Sequence, residues 1–234
     1  MLVLGAYLLG SIPSAYLIAR WTRGIDIRQY GSGNVGASNI SAVVSKWWTV
    51  PVTIFDLGKG MLVVYLARLV GLELYQQILV GIAAIVGHNW PVFLHFSGGR
   101  GILTTVGVIL VLSPWLTLSM VGVALLFFAP LHQLPIVALL VFSAAPFCIW
   151  FLAPTFHIER SLTLVLGFVA VLLLIIIRRL AVSRTQLSAS VPTKELIVNR
   201  LLFDRDIKDR KAWTERSPLK TNSMEKPLDL PPRK

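Results

Sequence analysis

The sequence predicts an all-α fold, a polytopic membrane helix bundle of about seven transmembrane helices with one of them short. Three observations carry this prediction. Of 234 residues, 55% are hydrophobic and only 14% charged, with a mean hydropathy of +0.73, which is too apolar for a soluble domain of this size. Long apolar stretches recur along the first three quarters of the chain, several of them near the roughly 20 residues a helix needs to cross a hydrocarbon core. Six of the seven tryptophans, Trp21, Trp47, Trp48, Trp90, Trp115 and Trp150, fall where those stretches end, at the interfacial depth that indole prefers.

The first stretch runs uncharged to Arg20. No Lys or Arg precedes it, so it reads as mature structure rather than a cleaved signal. Further apolar stretches lie at about 49–70, 75–94, 102–112, 115–129, 133–152 and 161–177, judged against the same length requirement. Residues 102–112 are too short to cross alone. Ser113-Pro114-Trp115 follows them, an N-cap and a first-turn proline that restart a helix instead of continuing one.

Charge orients the bundle. Arg20, Arg23, Arg28 and Lys46 place the first loop in the cytoplasm, and the basic tail beyond Arg178 belongs there too. That requires an odd number of crossings, met by seven or by five with re-entrant pieces. The formal charge of +11 is concentrated late, with 14 Lys/Arg and 7 Asp/Glu in residues 178–234. Alternating signs there, and charge-free apolar runs before it, exclude a nucleic-acid partner; the polyanion that fits is the inner leaflet. The chain divides into an integral membrane part, 1–184, and a basic tail, 185–234, whose polar composition predicts a largely disordered cytoplasmic segment. Leu196, Ile197, Leu201, Leu202, Phe203 and Ile207 have near-helical spacing, as in a helix lying on headgroups. Cys148 is the single cysteine, so neither a disulfide nor a thiolate cluster is available.

Three segments break the apolar pattern. Tyr30-Gly31-Ser32-Gly33-Asn34-Val35-Gly36-Ala37-Ser38-Asn39 contains G-x-G-x-x-G, with Asp56 twenty residues past Gly36. A dinucleotide site would need a parallel sheet around it, and two apolar spans flank this loop instead. Its backbone N–H groups and the Ser32, Asn34, Ser38 and Asn39 side chains suit an anion, or else a tight loop cap. The second segment runs from Gly87-His88 to Gly98-Gly99-Arg100-Gly101. Two glycines let backbone approach a ligand, and the next helix begins there; as plain interface punctuation the turn is equally ordinary. His88 and His95 lack a carboxylate or cysteine beside them, so no metal is expected. The third, Asp56-Leu57-Gly58-Lys59-Gly60, places two ionisable groups three residues apart inside a span. Each would cost roughly 3 kcal/mol unpaired, which points to function or to an internal ion pair that pins the loops.

No side-chain nucleophile is in evidence: there is no G-x-S-x-G elbow and no Walker lysine. Two anion cradles without a general base suit transfer between two phosphorylated substrates by positioning and charge stabilisation.

Gly10-Ser11-Ile12-Pro13-Ser14-Ala15-Tyr16-Leu17, Gly31 to Asn39, Phe55 to Gly60, Gly87-His88-x-x-Pro91-Val92-Phe93 and Gly98 to Gly101, in this order and spacing over residues 1–180, resemble the bacterial acyl-phosphate:glycerol-3-phosphate acyltransferase family. The resemblance implies a seven-helix inner-membrane enzyme with its sites facing the cytoplasm. It would move an acyl chain from acyl phosphate to the 1-hydroxyl of glycerol 3-phosphate, giving lysophosphatidic acid and phosphate for phospholipid biosynthesis. It implies no cofactor and no metal, and leaves room for a partner enzyme that supplies acyl phosphate. Carried over by position, Ser32, His88 and Arg100 take catalytic roles. Gly31, Gly33, Asn34, Ser38, Asn39, Gly98, Gly99 and Gly101 hold substrate, and Asp56 and Lys59 are scaffold.

The chain departs from the family pattern on the acceptor side. Ala42 stands for an Arg, Arg100 for a Lys, Arg179-Leu180-Ala181-Val182 for a His-x-x-Asn, and His132-Gln133-Leu134-Pro135 for a Ser-rich helix start. Arg178, Arg179 or Arg184 is a candidate to compensate, and Arg179 is assigned to substrate binding. A non-catalytic paralogue that binds acyl phosphate or lipid, or an enzyme with another acceptor, is the competing expectation.

Overall fold

The computed structural model describes residues 1–128, 134–155, 157 and 161–215. Among these, all regular structure is helical. Five helical segments are long and apolar enough to cross a membrane: Leu2–Arg23, Lys46–Leu69, Leu74–Leu94, Leu134–Leu152 and Leu162–Leu180. Ile102–Leu112 and Pro114–Leu126 are shorter. Two half-length helices thus take the place of the single short one expected, because the Ser113-Pro114 restart shortens the helix on both of its sides. Trp21, Trp47 and Trp115, together with Leu62, Leu126 and Phe151, are exposed side chains around the bundle, as a lipid-facing surface requires.

The first segment is broken. α1 (Leu2–Gly10) stops at Ser11 and α2 (Ser14–Arg23) starts after Pro13, because Pro13 has no N–H to continue the ladder. α3 (Ala37–Val43) is a short helix in the following loop, α4 (Lys46–Leu69) returns, and α5 (Leu74–Asn89) is started by a Glu73/Gln76 capping box. Two small-residue crossings set the spacing. A Cβ on Gly10 would overlap the Ala84 backbone, and one on Gly87 would stand 2.9 Å from Ser11 N, so α1 and α5 touch backbone to backbone. A Cβ on Gly60 would overlap Thr104 O, and one on Gly107 would overlap Leu57 O, which joins α4 to α6 (Ile102–Leu112) in the same way.

The main core, including Val64, Ala84, Ile85, Val108, Ile109, Phe168 and Ile175, fills the bundle. A smaller core of Ala15, Ala19, Ile25, Ile27, Val35, Ile40, Val44, Val52 and Leu94 lies under the first loop and makes it part of the fold. α7 (Pro114–Val123), α8 (Leu134–Leu152) and α9 (Ser161–Leu180) complete the bundle.

The tail differs from the expected disorder through residue 215. It carries α10 (Thr193–Phe203) and α11 (Arg210–Thr214), with Leu196, Asn199, Arg200, Asp206 and Trp213 buried. The reason is specific: Arg200 binds Asp206 at 2.7 Å, Leu180 O at 2.9 Å and Ser183 O at 3.3 Å, tying α10 to the end of α9. The apolar row at 196–203 is split, with Leu196 inward and Ile197, Val198 and Leu202 outward. Residues 216–234, and His132 and Gln133, lie outside the described residues.

Candidate functional site

The break between α1 and α2 exposes carbonyls that a continuous helix would use, and a buried lysine satisfies them. Lys59 Nζ donates to Gly10 O at 3.0 Å and Ile12 O at 3.3 Å, and pairs with Asp56 Oδ1 at 2.9 Å. Ser14 Oγ donates to the same carboxylate at 3.0 Å. His88 Nδ1 lies 2.9 Å from the ammonium and 3.6 Å from Asp56. Asp56, Lys59 and His88 are therefore one buried cluster that pins the broken helix against α5. His88, expected to be catalytic, sits in this cluster beside the second glycine segment: its ring abuts Gly99, and its carbonyl accepts from Gly99 N at 3.1 Å.

The first loop is stapled by Asn39. Its Oδ1 accepts from Ser32 N at 3.0 Å, while its Nδ2 donates to Ile27 O at 3.2 Å and Tyr30 O at 3.0 Å. Asn39, expected among the substrate contacts, is buried and shapes the loop through these three bonds. Gly31 is required here: its φ is +58°, and a Cβ would overlap Asn39 Oδ1. Gly33 N donates to Tyr30 O at 3.0 Å, closing the turn. Ser32 Oγ accepts from Asn34 N at 3.3 Å, Asn34 Oδ1 is buried without a partner among the described residues, and Ser38 is exposed on α3. Ser32, Asn34 and Ser38 thus remain the loop's candidates for contact with a ligand.

The two glycine segments meet. A Cβ on Gly99 would come 2.7 Å from Val35 O of the first loop, and Arg28, held by Asp26 at 2.6 Å, donates to Leu94 O at 3.2 Å. The Gly98–Gly99 turn is gripped from α9: Arg178 Nη2 donates to Gly98 O and its Nε to Gly99 O, both at 2.8 Å. The same guanidinium stands 5.6 Å from the centre of the Trp90 ring. With its carbonyls engaged by Arg178, the turn is held rigidly where Arg100 leaves it. Gly101 caps α6 with φ +72°, beside Asn89, whose amide is fully buried and unpartnered among the described residues.

Arg100 Nε meets Asp204 Oδ1 of the tail at 3.1 Å, and its Nη1 donates to Arg178 O at 3.3 Å. Arg179, assigned to substrate from the sequence, is buried with its fork on the carbonyls of Leu201 and Pro135. It fastens the tail to α8, and Arg178 is the neighbour that reaches the site. Consecutive residues on a helix point about 100° apart, so the RR pair signalled that one would face inward without saying which. Asn89 and Asp204, which the sequence did not single out, lie beside these groups. Asn89 was hidden in the His88 motif, and Asp204 in a tail whose composition resembles disorder. Among the described residues no group of three or more His, Cys, Asp and Glu is placed to hold a metal.

The family model described as Glycerol-3-phosphate acyltransferase matches residues 1–186. Glycerol-3-phosphate acyltransferase 4 of Dehalococcoides mccartyi strain CBDB1 is 44% identical over 217 residues, 93% of this chain and 93% of that protein. Glycerol-3-phosphate acyltransferase of Synechococcus sp. strain CC9902 is 48% identical over 110 residues, 47% of this chain and 54% of that one. The crystal structure of PlsY (YgiH), an integral membrane glycerol 3-phosphate acyltransferase, in its glycerol 3-phosphate form, superposes with a TM-score of 0.67 at 31% identity, covering 77% of this chain and 87% of that one. The matched span carries both glycine segments, the buried Asp56–Lys59–His88 cluster and the Arg178 grip, and the chain belongs to the glycerol-3-phosphate acyltransferase family.

Proposed function

We propose that this integral membrane protein transfers an acyl chain from acyl phosphate to the 1-hydroxyl of glycerol 3-phosphate, at the cytoplasmic face of a bacterial inner membrane, in phospholipid biosynthesis. The observation that carries the reading is the meeting of the Ser32–Asn34 loop with the Gly98–Arg100 turn at one end of an apolar bundle. In this reading a phosphorylated headgroup binds at that junction and its acyl chain stays with the apolar surface of the bundle. Arg100 offers its guanidinium to the acyl-phosphate oxyanion, and Ser32, Asn34 and Ser38 offer hydroxyl and amide donors to phosphate oxygens.

The chemistry asks little of the protein beyond placement. The acceptor's 1-hydroxyl oxygen attacks the acyl carbonyl carbon, the bond from that carbon to the phosphate oxygen breaks, and inorganic phosphate leaves with both bonding electrons. His88 Nδ1 is in contact with the Lys59 ammonium inside the buried cluster, and the hydroxyl proton passes to a phosphate oxygen, a base whose second pKa is near 6. Holding both substrates in contact is the main catalytic contribution. A partner enzyme making acyl phosphate would supply the donor.

The test is to incubate detergent-purified protein with palmitoyl phosphate and glycerol 3-phosphate and follow phosphate release and lysophosphatidic acid. Turnover that depends on glycerol 3-phosphate is expected. Binding of palmitoyl phosphate without turnover would instead select a lipid-binding paralogue. Turnover with a different acceptor alone would reassign the second substrate.

A further inference from the structure

The family match ends at residue 186, yet the tail beyond it reaches the site. Asp204 ends α10 in a left-handed conformation, φ +54°. Its position is set by the Arg200 and Arg179 anchors that fasten α10 to the bundle. Its Oδ1 meets Arg100 Nε at 3.1 Å, in an ion pair whose side chains are 14% and 19% exposed. Its charge also acts on Arg178 and Arg179. The 217-residue alignment with the Dehalococcoides relative is 31 residues longer than the 186 of the family match, so it must take in at least that much of the tail.

We infer that Asp204 is a positioning residue for the acyl transfer, a carboxylate delivered by the tail that orients the Arg100 guanidinium toward substrate. This rests on the reading of Arg100 as an anion contact given above. An ammonium is a point charge that serves an oxyanion from any direction, whereas a guanidinium is a planar fork that serves it well only when its plane is set. Asp204 Oδ1 stands at the Nε edge as an ion-pair partner, 3.1 Å away and without a hydrogen bond among the described residues, and the Arg178 carbonyl accepts from Nη1. Nη2 has no partner among the described residues and is the corner left for a phosphate oxygen. A carboxylate among three guanidinium groups also offsets their mutual repulsion before substrate arrives.

The experiment is steady-state kinetics on the full chain in detergent, varying palmitoyl phosphate and glycerol 3-phosphate in turn. The variants are Asp204→Ala, Asp204→Asn, Arg100→Lys, Arg100→Ala and the Arg100→Lys, Asp204→Ala pair. Asp204→Ala is expected to raise KM for palmitoyl phosphate on the order of tenfold, the scale of a misplaced contact, with a smaller change in kcat. Asp204→Asn, which keeps the shape should the alanine variant not fold, is expected to fall between it and the unaltered protein. On the Arg100→Lys background, Asp204→Ala is expected to add little, because a lysine has no plane to set. A lower KM in Asp204→Ala would mark the carboxylate as a competitor of substrate and overturn the inference. An equal loss on the Arg100→Lys background would overturn it too, as a general effect on the fold. Arg100 variants with unchanged KM for both substrates would defeat the site reading itself. Impaired Arg100 variants beside unaffected Asp204 variants would defeat only the positioning role.

Discussion

Lys59 Nζ stands 2.9 Å from His88 Nδ1 while also capping the carbonyls of Gly10 and Ile12, so one ammonium joins the broken first segment, α4 and α5. Its partner carboxylate, Asp56, is 2% exposed. Lys59→Met would strand that carboxylate and two carbonyls in an apolar interior. Removing one member of a buried pair costs about 3–5 kcal/mol, a large share of the roughly 5–15 kcal/mol that ordinarily holds a fold. Thermal unfolding in detergent should show a large drop for Lys59→Met and a smaller one for Asp56→Asn with Lys59→Met. Equal drops would mean that the stranded charge is not the cause.

Arg178 spans two consecutive carbonyls at the same distance, 2.8 Å, and a single ammonium reaches such a pair less well than a fork does. Arg178→Lys should therefore keep the charge and still loosen the Gly98–Gly99 turn. The expected result is a loss in kcat/KM on the order of a hundredfold, the scale of a contact displaced by about 1 Å, with a nearly unchanged melting temperature. Activity equal to the unaltered protein would show that the turn holds its shape without this clamp.

The helices were legible in the sequence because charge-free runs of spanning length have few alternatives, and the Ser113-Pro114 restart was legible because proline removes a donor at one known place. The two glycine segments stood out in the sequence as the breaks in the apolar pattern, and the structure brings them together where an added Cβ on Gly99 would come 2.7 Å from Val35 O. What stayed hidden is set by tertiary contact. The sequence places Asn39 with the substrate contacts and His88 with the catalytic groups, and only their partners reveal that Asn39 staples its own loop and that His88 packs into the Lys59 cluster. Arg178 and Arg179 differ in role through helix phase alone. The polar composition of residues 185–234 predicts disorder, and composition does not exclude order when an arginine such as Arg200 finds three acceptors at a helix end.

Two glycines should respond oppositely to the same substitution. A Cβ at Gly99 would overlap the His88 ring and come 2.7 Å from Val35 O, with little room for either to move. Gly99→Ala should thus separate the two glycine segments and abolish acyl transfer. Gly58, one residue before Lys59 in α4, has nothing within 4 Å of an added Cβ and lies in a helix interior. Gly58→Ala should leave activity intact and raise stability by about 0.5–1 kcal/mol, the helix propensity difference. Phosphate release and thermal unfolding on the two variants check both halves, and an inactive Gly58→Ala would place this face of α4 against substrate.

Docking of the tail should depend on acid in a defined direction. Burial alone raises the pKa of Asp206, but hydrogen bonds from Arg200 and Ser188 and the Arg200 charge outweigh it and hold the carboxyl below its ordinary value. A group whose folded pKa is depressed stabilises the fold above its unfolded pKa and loses that contribution as the pH falls through the folded one. The tail should stay docked at neutral pH and detach only below about pH 4, where an ordinary aspartate protonates. Trp213, 5% exposed on α11, reports the event: its fluorescence, taken as the difference from Trp213→Phe, should shift toward that of exposed indole on acidification. Asp206→Asn should show the exposed signal already at pH 7 and no further acid step, whereas an unchanged acid step in that variant would assign it to another carboxylate.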